Sequence, residues 1–387
     1  MRDTAVEFYM FFYTAVVKIE AHEAPKVRMT TAAMPSVLQT PLSKRLNIRH
    51  PLMLAGMAAV SNAELAAAVS NAGGMGVVGG AFMSPHALRK IIRDMKALLV
   101  DVAAPFGVDL LLPSTAAGAR ATNHDYTHGI LGELVELVIA ERAAMFICAV
   151  GVPPRWVVDR LHAGGVLVMN MVGSTKHVPK ALDVGVDAVC AQGTEAGGHT
   201  GDISTLVLLP QCVDLCKGRV SPLHGGPVAV VGAGGIYDGR GIAAALSLGA
   251  QAVWVGTRFV AAAEAGASPL HQKRIVAATS DDVIRTTIFS GRPMRVHKSA
   301  YVLDWETKRP LERDALLAAG KRPYKTDLAA NKERGTPLSF ANTYPSIYGQ
   351  ACGGITRVQP AGEIVREMMQ GALAALRANE GLVVSKL

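Results

Sequence analysis

LAAAVSNAGGMGVVGG (residues 65–80) joins an Ala- and Leu-rich helical end to two glycines and then to a short apolar run. Glycine commonly stops a helix, and a short apolar run between turn signals is typical of a buried strand. The same order recurs at VVDRLHAGGVLVMNMVG (157–173), KALDVGVDAVCAQG (180–193) and AALSLGAQAVWVG (244–256). Repeated helix-to-strand units predict a parallel sheet.

Four further apolar runs read as strands in the same part of the chain. They are PLMLAG (51–56), FGVDLLLP (106–113), AMFICAVG (144–151) and PVAVVGAGG (227–235). With the strands of the repeats, near 76–79, 166–172, 187–191 and 252–256, they make eight strands that alternate with helices. Eight parallel strands of this kind predict an α/β fold of the TIM type, a (β/α)8 barrel, over residues 41–262.

The regions on either side of the barrel are less regular. Residues 1–40 form an N-terminal extension of unknown role. Residues 263–380 are rich in Pro and charge and then contain an amphipathic helix near 361–378. Because no flexible linker separates them from the barrel, we expect a C-terminal helical excursion that covers the barrel mouth and not an independent domain.

Local signals indicate where several helices begin. Ser61 with Glu64 has the spacing of a capping box, and Ser84-Pro85 supplies an N-cap with proline at the first helical position. These starts agree with the order of elements that a barrel requires.

Composition excludes several classes of protein. Half of the 387 residues are apolar and 18% are charged, which predicts a globular chain with a large core. The excess of 39 Lys and Arg over 31 Asp and Glu is scattered, without the basic tracts of a nucleic-acid surface. No apolar run reaches the roughly 18 residues of a membrane span, so neither a nucleic-acid partner nor a membrane partner is predicted.

The five cysteines predict neither disulfides nor a metal site. Most lie in apolar surroundings, which indicates reduced and buried thiols. Cys212 and Cys216 have helical i, i+4 spacing, but no histidine or second cysteine pair stands near them, so core packing is the preferred interpretation.

The sequence ends in Ser385-Lys386-Leu387, the tripeptide that serves as a peroxisomal address. We therefore expect a peroxisomal protein if the host has peroxisomes, and a cytoplasmic one otherwise.

Two glycine-rich segments stand where barrel enzymes bind phosphate, after the seventh and eighth strands. They read Gly232-Ala233-Gly234-Gly235 and Gly256-Thr257. Small residues let backbone N–H groups surround a phosphate, and a helix from about Asp238 directs its positive end toward it. The alternative is that these glycines only permit tight turns.

A second glycine pattern is rejected as a nucleotide fingerprint. Residues 74–79 match GxGxxG letter for letter but follow a helix and lie inside a strand. The dinucleotide fingerprint needs the opposite context, strand, turn and then helix.

The segment AQGTEAGGHTGD (191–202) follows the sixth strand and therefore crosses the predicted catalytic mouth. Its glycines would let a flat cofactor ring lie against the backbone, and His199 titrates in a range suited to accepting a proton or, when protonated, to stabilising an anion. Alternatively, His199 is a surface or hydrogen-bonding residue. Glu195 is expected to accept hydrogen bonds from loop amides, and Gln192 can bond to a heterocycle edge.

Taken together, these segments resemble the nitronate monooxygenase family of FMN-dependent barrel enzymes. The resemblance runs from about Pro51 to Arg377. It rests on residues 51–80 and 106–113, on AQGTEAGGHTG (191–201), on VVGAGGIYDGRGIAAALSLGAQAVWVGTRF (230–259), and on GRPMRV (291–296) with YGQACGGITRVQPAGEIV (348–365).

The resemblance implies a set of site residues. His199 would be the catalytic residue, and Asp109 stands where some relatives carry Asn, so its flavin contact is less certain. Tyr344 and Tyr348 fall in a region that could line the substrate pocket. The residues implied to hold FMN are Ala55, Gly56, Met57, Asp109, Gln192, Gly197, Gly234, Gly235, Gly256 and Thr257.

The implied reaction is oxidation of an alkyl nitronate, such as propionate 3-nitronate, by O2 to a carbonyl compound and nitrite. Flavin supplies the redox chemistry, which explains why few polar side chains mark the site. Flavin-dependent enoyl-acyl-carrier-protein and quinone reductases that use NAD(P)H share a similar EAGGH segment, so they remain the alternative. A non-catalytic flavin-binding barrel is the third reading.

Overall fold

The computed structural model describes residues 38–382 apart from residues 117 and 337. Nearly all of the predicted extension 1–40, and the whole 385–387 tripeptide, lie outside the described residues. The described strands are β1 Leu52–Leu54, β2 Gly76–Gly79, β3 Phe106–Leu111, β4 Met145–Ala149, β5 Leu167–Val172, β6 Ala188–Gln192, β7 Gly198–His199, β8 Ala229–Ala233, β9 Ala252–Val255, β10 Val283–Thr286 and β11 Met294–His297.

Eight of these strands form one parallel sheet, and the sheet closes on itself. The order runs β1-β9-β8-β6-β5-β4-β3-β2. A parallel bridge between Met53 and Met75 joins the two ends. It is carried by the Leu54 amide donating to the Met75 carbonyl and the Met75 amide donating to the Leu52 carbonyl, both at 2.9 Å. The prediction of a TIM-type barrel is confirmed.

The helices follow the strands in alternation. They are α1 Pro41–Arg45, α2 Ala63–Asn71, α3 Pro85–Leu98, α4 Leu131–Ala140, α5 Arg155–Ala163, α6 Val178–Asp183, α7 Thr205–Cys216, α8 Gly239–Ser247, α9 Thr257–Val260, α10 Pro269–Ala277, α11 Ala300–Thr307, α12 Pro310–Ala318, α13 Pro323–Glu333, α14 Phe340–Thr343 and α15 Ala361–Glu380. Short 3-10 turns occupy Thr175–His177 and Gln350–Gly354.

Strand alternation separates an interior core from an outer one. Every second residue of a strand faces the same side, so β1 directs Met53 and Ala55 into the barrel and Leu52 and Leu54 toward the helices. Methionines fill much of the interior, and α1 packs against its amino end through Leu42. This packed interior leaves the carboxyl ends of the strands as the place for a site.

One predicted helix start is wrong and another is confirmed. Asn62, and not Ser61, caps α2, because its side-chain oxygen accepts a hydrogen bond from the Leu65 amide at 2.9 Å. Ser61 lies one residue too early and instead accepts hydrogen bonds from the amides of Met57 and Gly79, which hold the turn after β1. Ser84 caps α3 as predicted.

The C-terminal region is not purely helical, which corrects the prediction of a helical excursion. Strands β10 and β11 pair antiparallel, and β11 pairs with β7 from the barrel loop. Sequence patterning missed β10 and β11 because each is only four residues long and lies among Pro- and charge-rich segments.

The final helix, α15, does not lie over the barrel mouth. It packs along α8 and also contacts α2, so it belongs to the outer helical layer. The crossing with α8 is very close: a Cβ on Gly239 would stand 2.2 Å from the Ala372 nitrogen and 2.3 Å from the Gly371 carbonyl carbon. Glycine at the first residue of α8 is what allows the two backbones to meet.

The described residues contain neither a membrane-spanning helix nor a metal-binding cluster. No described helix has the length and the apolar character needed to cross a bilayer. Within residues 38–382 as described, no group of three or more His, Cys, Asp or Glu side chains could hold a metal ion. The five thiols are free and buried, as predicted.

The crossing of α8 and α15 generates a stability prediction. We expect Gly239→Ala to lower the free energy of unfolding by about 1–3 kcal/mol, because the new methyl group must push two backbones apart. Gly362→Ala is the matched control on α15, since a Cβ there meets nothing within 4 Å. The control should raise stability by about 0.5–1 kcal/mol. Urea unfolding measures both variants, and equal effects would contradict the close crossing.

Candidate active site

The residues predicted to hold a flavin gather at the carboxyl end of the barrel. Ala55 follows β1, Asp109 lies on β3, Gln192 ends β6 and Gly256 follows β9, all at interior positions of the alternation. A Cβ on Gly256 would stand 3.4 Å from the Ala55 Cβ and 3.6 Å from the Met57 sulfur. The ends of β1 and β9 therefore lie side by side, and Gly256 contributes no side chain between them.

The loop after β8 has the backbone form expected of an anion cradle. Gly234 and Gly235 have φ angles of +97° and +71°, in the left-handed region that favours glycine. Within the described part of the chain, the amides of Gly235, which is exposed, and of Ile236, which is buried, donate no hydrogen bond to a protein acceptor. Buried amides normally have such a partner. The loop then enters α8, which begins next to Asp238 as predicted, and the Asp238 side chain caps the helix.

Asp109 and Gly56 lie in contact at the carboxyl end of the barrel. A Cβ on Gly56 would lie 2.3 Å from the Asp109 Oδ2, so the β1 turn rests directly on the carboxyl group. Asp109 is buried, and its Oδ1 has no hydrogen-bond partner among the described residues. Burial raises the pKa of Asp109 well above its ordinary value, because nothing nearby compensates a negative charge.

These observations show that the residues present fit a flavin. The unsatisfied amides after β8 suit a phosphate, and the unpaired Asp109 oxygen is a buried polar atom that a polar ring edge can satisfy. Gly56 lets the Asp109 carboxyl group approach the β1 turn, and Gly256 places no side chain beside Ala55 and Met57.

Gly197 and Thr257, both predicted to contact FMN, also contact the C-terminal segment. A Cβ on Gly197 would overlap the Tyr348 and Gly349 backbone at 2.7–2.8 Å, so this glycine permits the C-terminal segment to approach. The Thr257 hydroxyl accepts a hydrogen bond from the Gly349 amide at 2.9 Å. The C-terminal segment is thereby fixed to both the β6 loop and the β9 loop.

His199 is held on the short strand β7. Its partner across the ladder is Met294 on β11, and the Gln192 amide nitrogen donates to the His199 carbonyl at 2.6 Å. The ring makes a 2.9 Å hydrogen bond between Nε2 and the Ser290 hydroxyl. Burial first, and then the charge of Arg292, lower the pKa of His199 to about 4, so the imidazole is neutral at neutral pH.

Arg292 is a site residue that the sequence reasoning missed. Its Nε donates to the Asn123 side-chain oxygen at 3.1 Å and its Nη1 to the Val150 carbonyl at 3.2 Å. Both acceptors are neutral, and Arg292 forms no ion pair with a described carboxylate. Burial and the nearby Arg120 charge lower the pKa of Arg292, yet guanidinium stays protonated in proteins. A partly buried cation without a carboxylate marks a place for an anion.

Only a weak signal in the sequence pointed to Arg292. It is the second residue of GRPMRV, a segment noted for its resemblance and given no role. Its position beside His199 follows from the β7–β11 pairing and from Ser290, whose hydroxyl also accepts a hydrogen bond from the Arg292 amide at 3.3 Å.

Glu195 and Tyr348 both form hydrogen bonds with neighbouring protein groups. The Glu195 carboxylate accepts hydrogen bonds from the Thr205 amide and hydroxyl, which confirms the prediction that it serves loop groups. Tyr348 is 1% exposed, and its hydroxyl lies 2.6 Å from His297 Nδ1. That it lines the substrate pocket stays a prediction. Tyr344 is partly buried on the same segment.

Comparison with known proteins agrees with this geometry. The family model described as nitronate monooxygenase matches residues 39–371. The chain is 36% identical over 267 residues to (3aS,4S,5R,7aS)-5-hydroxy-7a-methyl-1-oxo-octahydro-1H-indene-4-carboxyl-CoA dehydrogenase of Mycobacterium tuberculosis, which covers 68% of either chain.

Two solved structures share the fold over most of the chain. FabK from Thermotoga maritima gives a TM-score of 0.72 at 29% identity, covering 89% of this chain and 100% of that one. Nitroalkane oxidase from Streptomyces ansochromogenes gives 0.71 at 26% identity, covering 87% and 99%. With the barrel, the flavin-compatible mouth and a family match over residues 39–371, the chain belongs to the nitronate monooxygenase family of flavin-dependent oxidoreductases.

Proposed function

We propose that this enzyme uses FMN to oxidise alkyl nitronates, such as propionate 3-nitronate, with O2, giving a carbonyl compound and nitrite. The observation that carries the proposal is the neutral His199 imidazole beside the Arg292 guanidinium, which lacks a carboxylate partner among the described residues. The neutral imidazole can accept a proton, and the guanidinium can bind an anion. A nitronate is the anion left when a nitroalkane loses a proton.

Residues on five strand ends would hold FMN. The amides of Gly234, Gly235 and Thr257 would face the phosphate, and the backbone of Gly197 and Gly256 would lie beside the ring. The residues Ala55, Gly56, Met57, Asp109 and Gln192 would contact the ring or its edge. When bound, FMN supplies the redox chemistry by taking electrons from the substrate and passing them to O2.

Arg292 would bind the nitro group of the substrate. A guanidinium offers several N–H donors in a plane, which matches the two oxygens of a nitronate as it matches a carboxylate. Because Arg292 is partly withdrawn from water and bonded only to neutral acceptors, an arriving anion gains more from its charge than it would at an exposed arginine.

His199 would act as a base when the bound substrate is a neutral nitroalkane. With a pKa of about 4, the ring is uncharged near neutral pH, which disfavours the alternative in which a protonated His199 holds the anion. Proton transfer becomes easier as the nitronate forms, because its negative charge stabilises the imidazolium beside it. The bond at Nε2 to Ser290 orients the ring for this transfer.

The names of the similar proteins also support a reductase or dehydrogenase as the competing activity. Anaerobic mixing of the purified yellow protein with propionate 3-nitronate, NADH or NADPH decides between them. We expect the flavin absorbance to fall with the nitronate; a rapid fall with NADH or NADPH alone would establish the NAD(P)H-dependent reductase. A yellow protein inert toward all of them would be a non-catalytic flavin barrel. Heating the protein releases the bound flavin, and identifying the released compound tests whether it is FMN.

His199→Asn is the first functional prediction. We expect kcat/KM for a neutral nitroalkane to fall about 10²–10⁴-fold, because the proton acceptor is lost. The loss should be much smaller with a preformed nitronate, which has no such proton to give up. Flavin content should match that of His86→Asn, a control at an exposed histidine of α3. Unchanged nitroalkane turnover would remove His199 from the mechanism.

Arg292→Gln is the second functional prediction. We expect KM for nitronates to rise roughly 10- to 100-fold, the cost of losing a charged hydrogen bond of about 1.5–3 kcal/mol.

In the unaltered enzyme, kcat/KM for a nitroalkane should fall as the pH drops through about 4, where His199 becomes protonated. Removing the Arg292 charge relieves the penalty on the imidazolium, so this acid limb should move to higher pH.

The control for Arg292 is Arg219→Gln, at a half-exposed arginine between α7 and β8, near the opposite end of the barrel. A pH profile and a KM that respond equally in the two variants would show that Arg292 acts only through the net charge of the protein.

A further inference from the structure

Arg292 is held by two hydrogen-bond acceptors from neighbouring loops. Asn123 lies on the loop after β3, and Val150 follows β4. Arg292 Nε donates to the Asn123 side-chain oxygen at 3.1 Å, and Nη1 donates to the Val150 carbonyl at 3.2 Å. Neither acceptor carries a formal charge, so the two bonds fix the direction of the guanidinium without cancelling its charge.

The Asn123 amide is oriented by its own loop. Its Nδ2 donates to the Ser114 carbonyl at 2.7 Å, and a carbonyl oxygen can only accept. The Oδ1 must therefore face Arg292, whose N–H groups can only donate. The Asn123 backbone amide donates to the Arg120 carbonyl at 2.9 Å, which closes the turn that carries the side chain. An aspartate here would have no donor for Ser114 and would pair with Arg292.

Val150 reaches Arg292 from a strained backbone. Its φ is +72°, and among the described non-glycine residues with positive φ it alone is β-branched, the type for which this conformation is costliest. The chain is fixed on both sides of it. The Leu112 amide donates to the Ala149 carbonyl at 3.0 Å, and a Cβ on Gly151 would stand 2.0 Å from the Leu112 carbonyl oxygen. Strain of this kind persists where neighbours impose it, and it is concentrated at functional sites.

The acidic residue nearest in sequence to Asn123 does not compensate Arg292. Asp125, the one carboxylate of residues 119–128, accepts hydrogen bonds from the Thr127 amide, the Thr127 hydroxyl and the Gly129 amide, each at 2.7 Å. The charge of Arg120 also acts on Arg292 and has the same sign. Among the described residues, the Arg292 side chain therefore bonds to neutral acceptors and to no carboxylate.

We propose that Asn123 sets the preference of this enzyme for an anionic over a neutral substrate. Together with the Val150 carbonyl, it holds Arg292 by neutral bonds and leaves the guanidinium charge to the bound anion. A carboxylate at position 123 would have nearly the same size and would neutralise that charge at close range. Asn123 is thus a positioning residue that acts through Arg292, and the inference rests on the role of Arg292 in the proposed function.

Nitrate binding to the flavin-loaded enzyme tests the proposal without turnover. Nitrate carries its oxygens on a planar nitrogen, as a nitronate does, and it cannot reduce the flavin. Its dissociation constant is measured by titration calorimetry at constant ionic strength. We expect N123D to weaken nitrate binding about tenfold, and N123L, which removes the acceptor without adding a charge, to weaken it only about two- to threefold.

N71D is the matched control for the added charge. The Asn71 side chain also donates to a backbone carbonyl, that of Leu98 at 2.9 Å, but it lies at the end of α2, toward the amino ends of the strands. N71D should bind nitrate as the unaltered enzyme does. The proposal is overturned if N123D weakens binding no more than N123L or N71D does, or if the unaltered enzyme does not bind nitrate.

Val150→Gly tests the second acceptor. Glycine adopts a positive φ without strain, so the urea midpoint should be at least that of the unaltered enzyme, which keeps a folding defect apart from an effect on binding. The peptide after residue 150 is then free to turn away, and nitrate binding should weaken about two- to threefold. R142G is the control, at an exposed residue with φ of +55° before β4. Equal nitrate affinity in V150G and R142G would overturn the role given to Val150.

Turnover then measures the preference itself. The ratio of kcat/KM for ethyl nitronate to that for nitroethane should fall about tenfold in N123D, because the anion loses an uncompensated cation while His199 becomes easier to protonate. An unchanged ratio would overturn the proposal. If ethyl nitronate does not reduce the flavin of the unaltered enzyme without oxygen, the proposed function fails, and the nitrate titrations still decide the role of Asn123.

Discussion

The pairing of β7 with β11 is the contact on which the site depends. Two residues from the β6 loop, Gly198 and His199, form a ladder with Met294 and Arg295 from the C-terminal region. The same approach carries Ser290 and Arg292 to the imidazole. Without this pairing, His199 would stand on a loop with no strand partner, and the C-terminal region would be held to the barrel mainly through the contact of Gly349 with Thr257.

This contact is possible because the chain removes side chains where backbones meet. Gly197 lies against Tyr348 and Gly349, and a Cβ would overlap them. The Gly349 amide in turn donates to Thr257 at the end of β9. Gly197 of the β6 loop therefore admits the C-terminal segment, which fills the space that a side chain there would occupy.

The electrostatics of the mouth have a consistent sense. Asp109 is buried, and burial raises its pKa well above the ordinary value, which disfavours a negative charge at this position. His199 is neutral as well, because burial and Arg292 both oppose its protonation. Arg292, bonded only to neutral acceptors, is therefore the cation beside His199 that can face a small anion.

The sequence by itself determined the barrel and the residues at the ends of its strands. Helix, glycine and strand recur in a local pattern that predicted the barrel. The family resemblance pointed to Ala55, Asp109, Gln192 and Gly256, and the structure places them at interior positions of the strand ends. The glycine loop after β8 was expected from its place behind the seventh strand of the barrel. The cap of α2 shows the limit, because Ser61 and Asn62 are both good caps and only the turn that Ser61 also serves makes Asn62 the choice.

Only the tertiary structure decided what lies across from those strand ends. Strands β10 and β11, the seat of α15 on α8, and the meeting of Arg292 with His199 join segments that are far apart in the chain. A pairing of this kind leaves no local periodicity, since its energy comes from backbone hydrogen bonds and packing between distant residues. Local sequence patterns therefore specified the strand ends of the barrel. Tertiary packing brought Arg292 and the strands β10 and β11 to them, because the stabilising contacts join residues far apart in the chain.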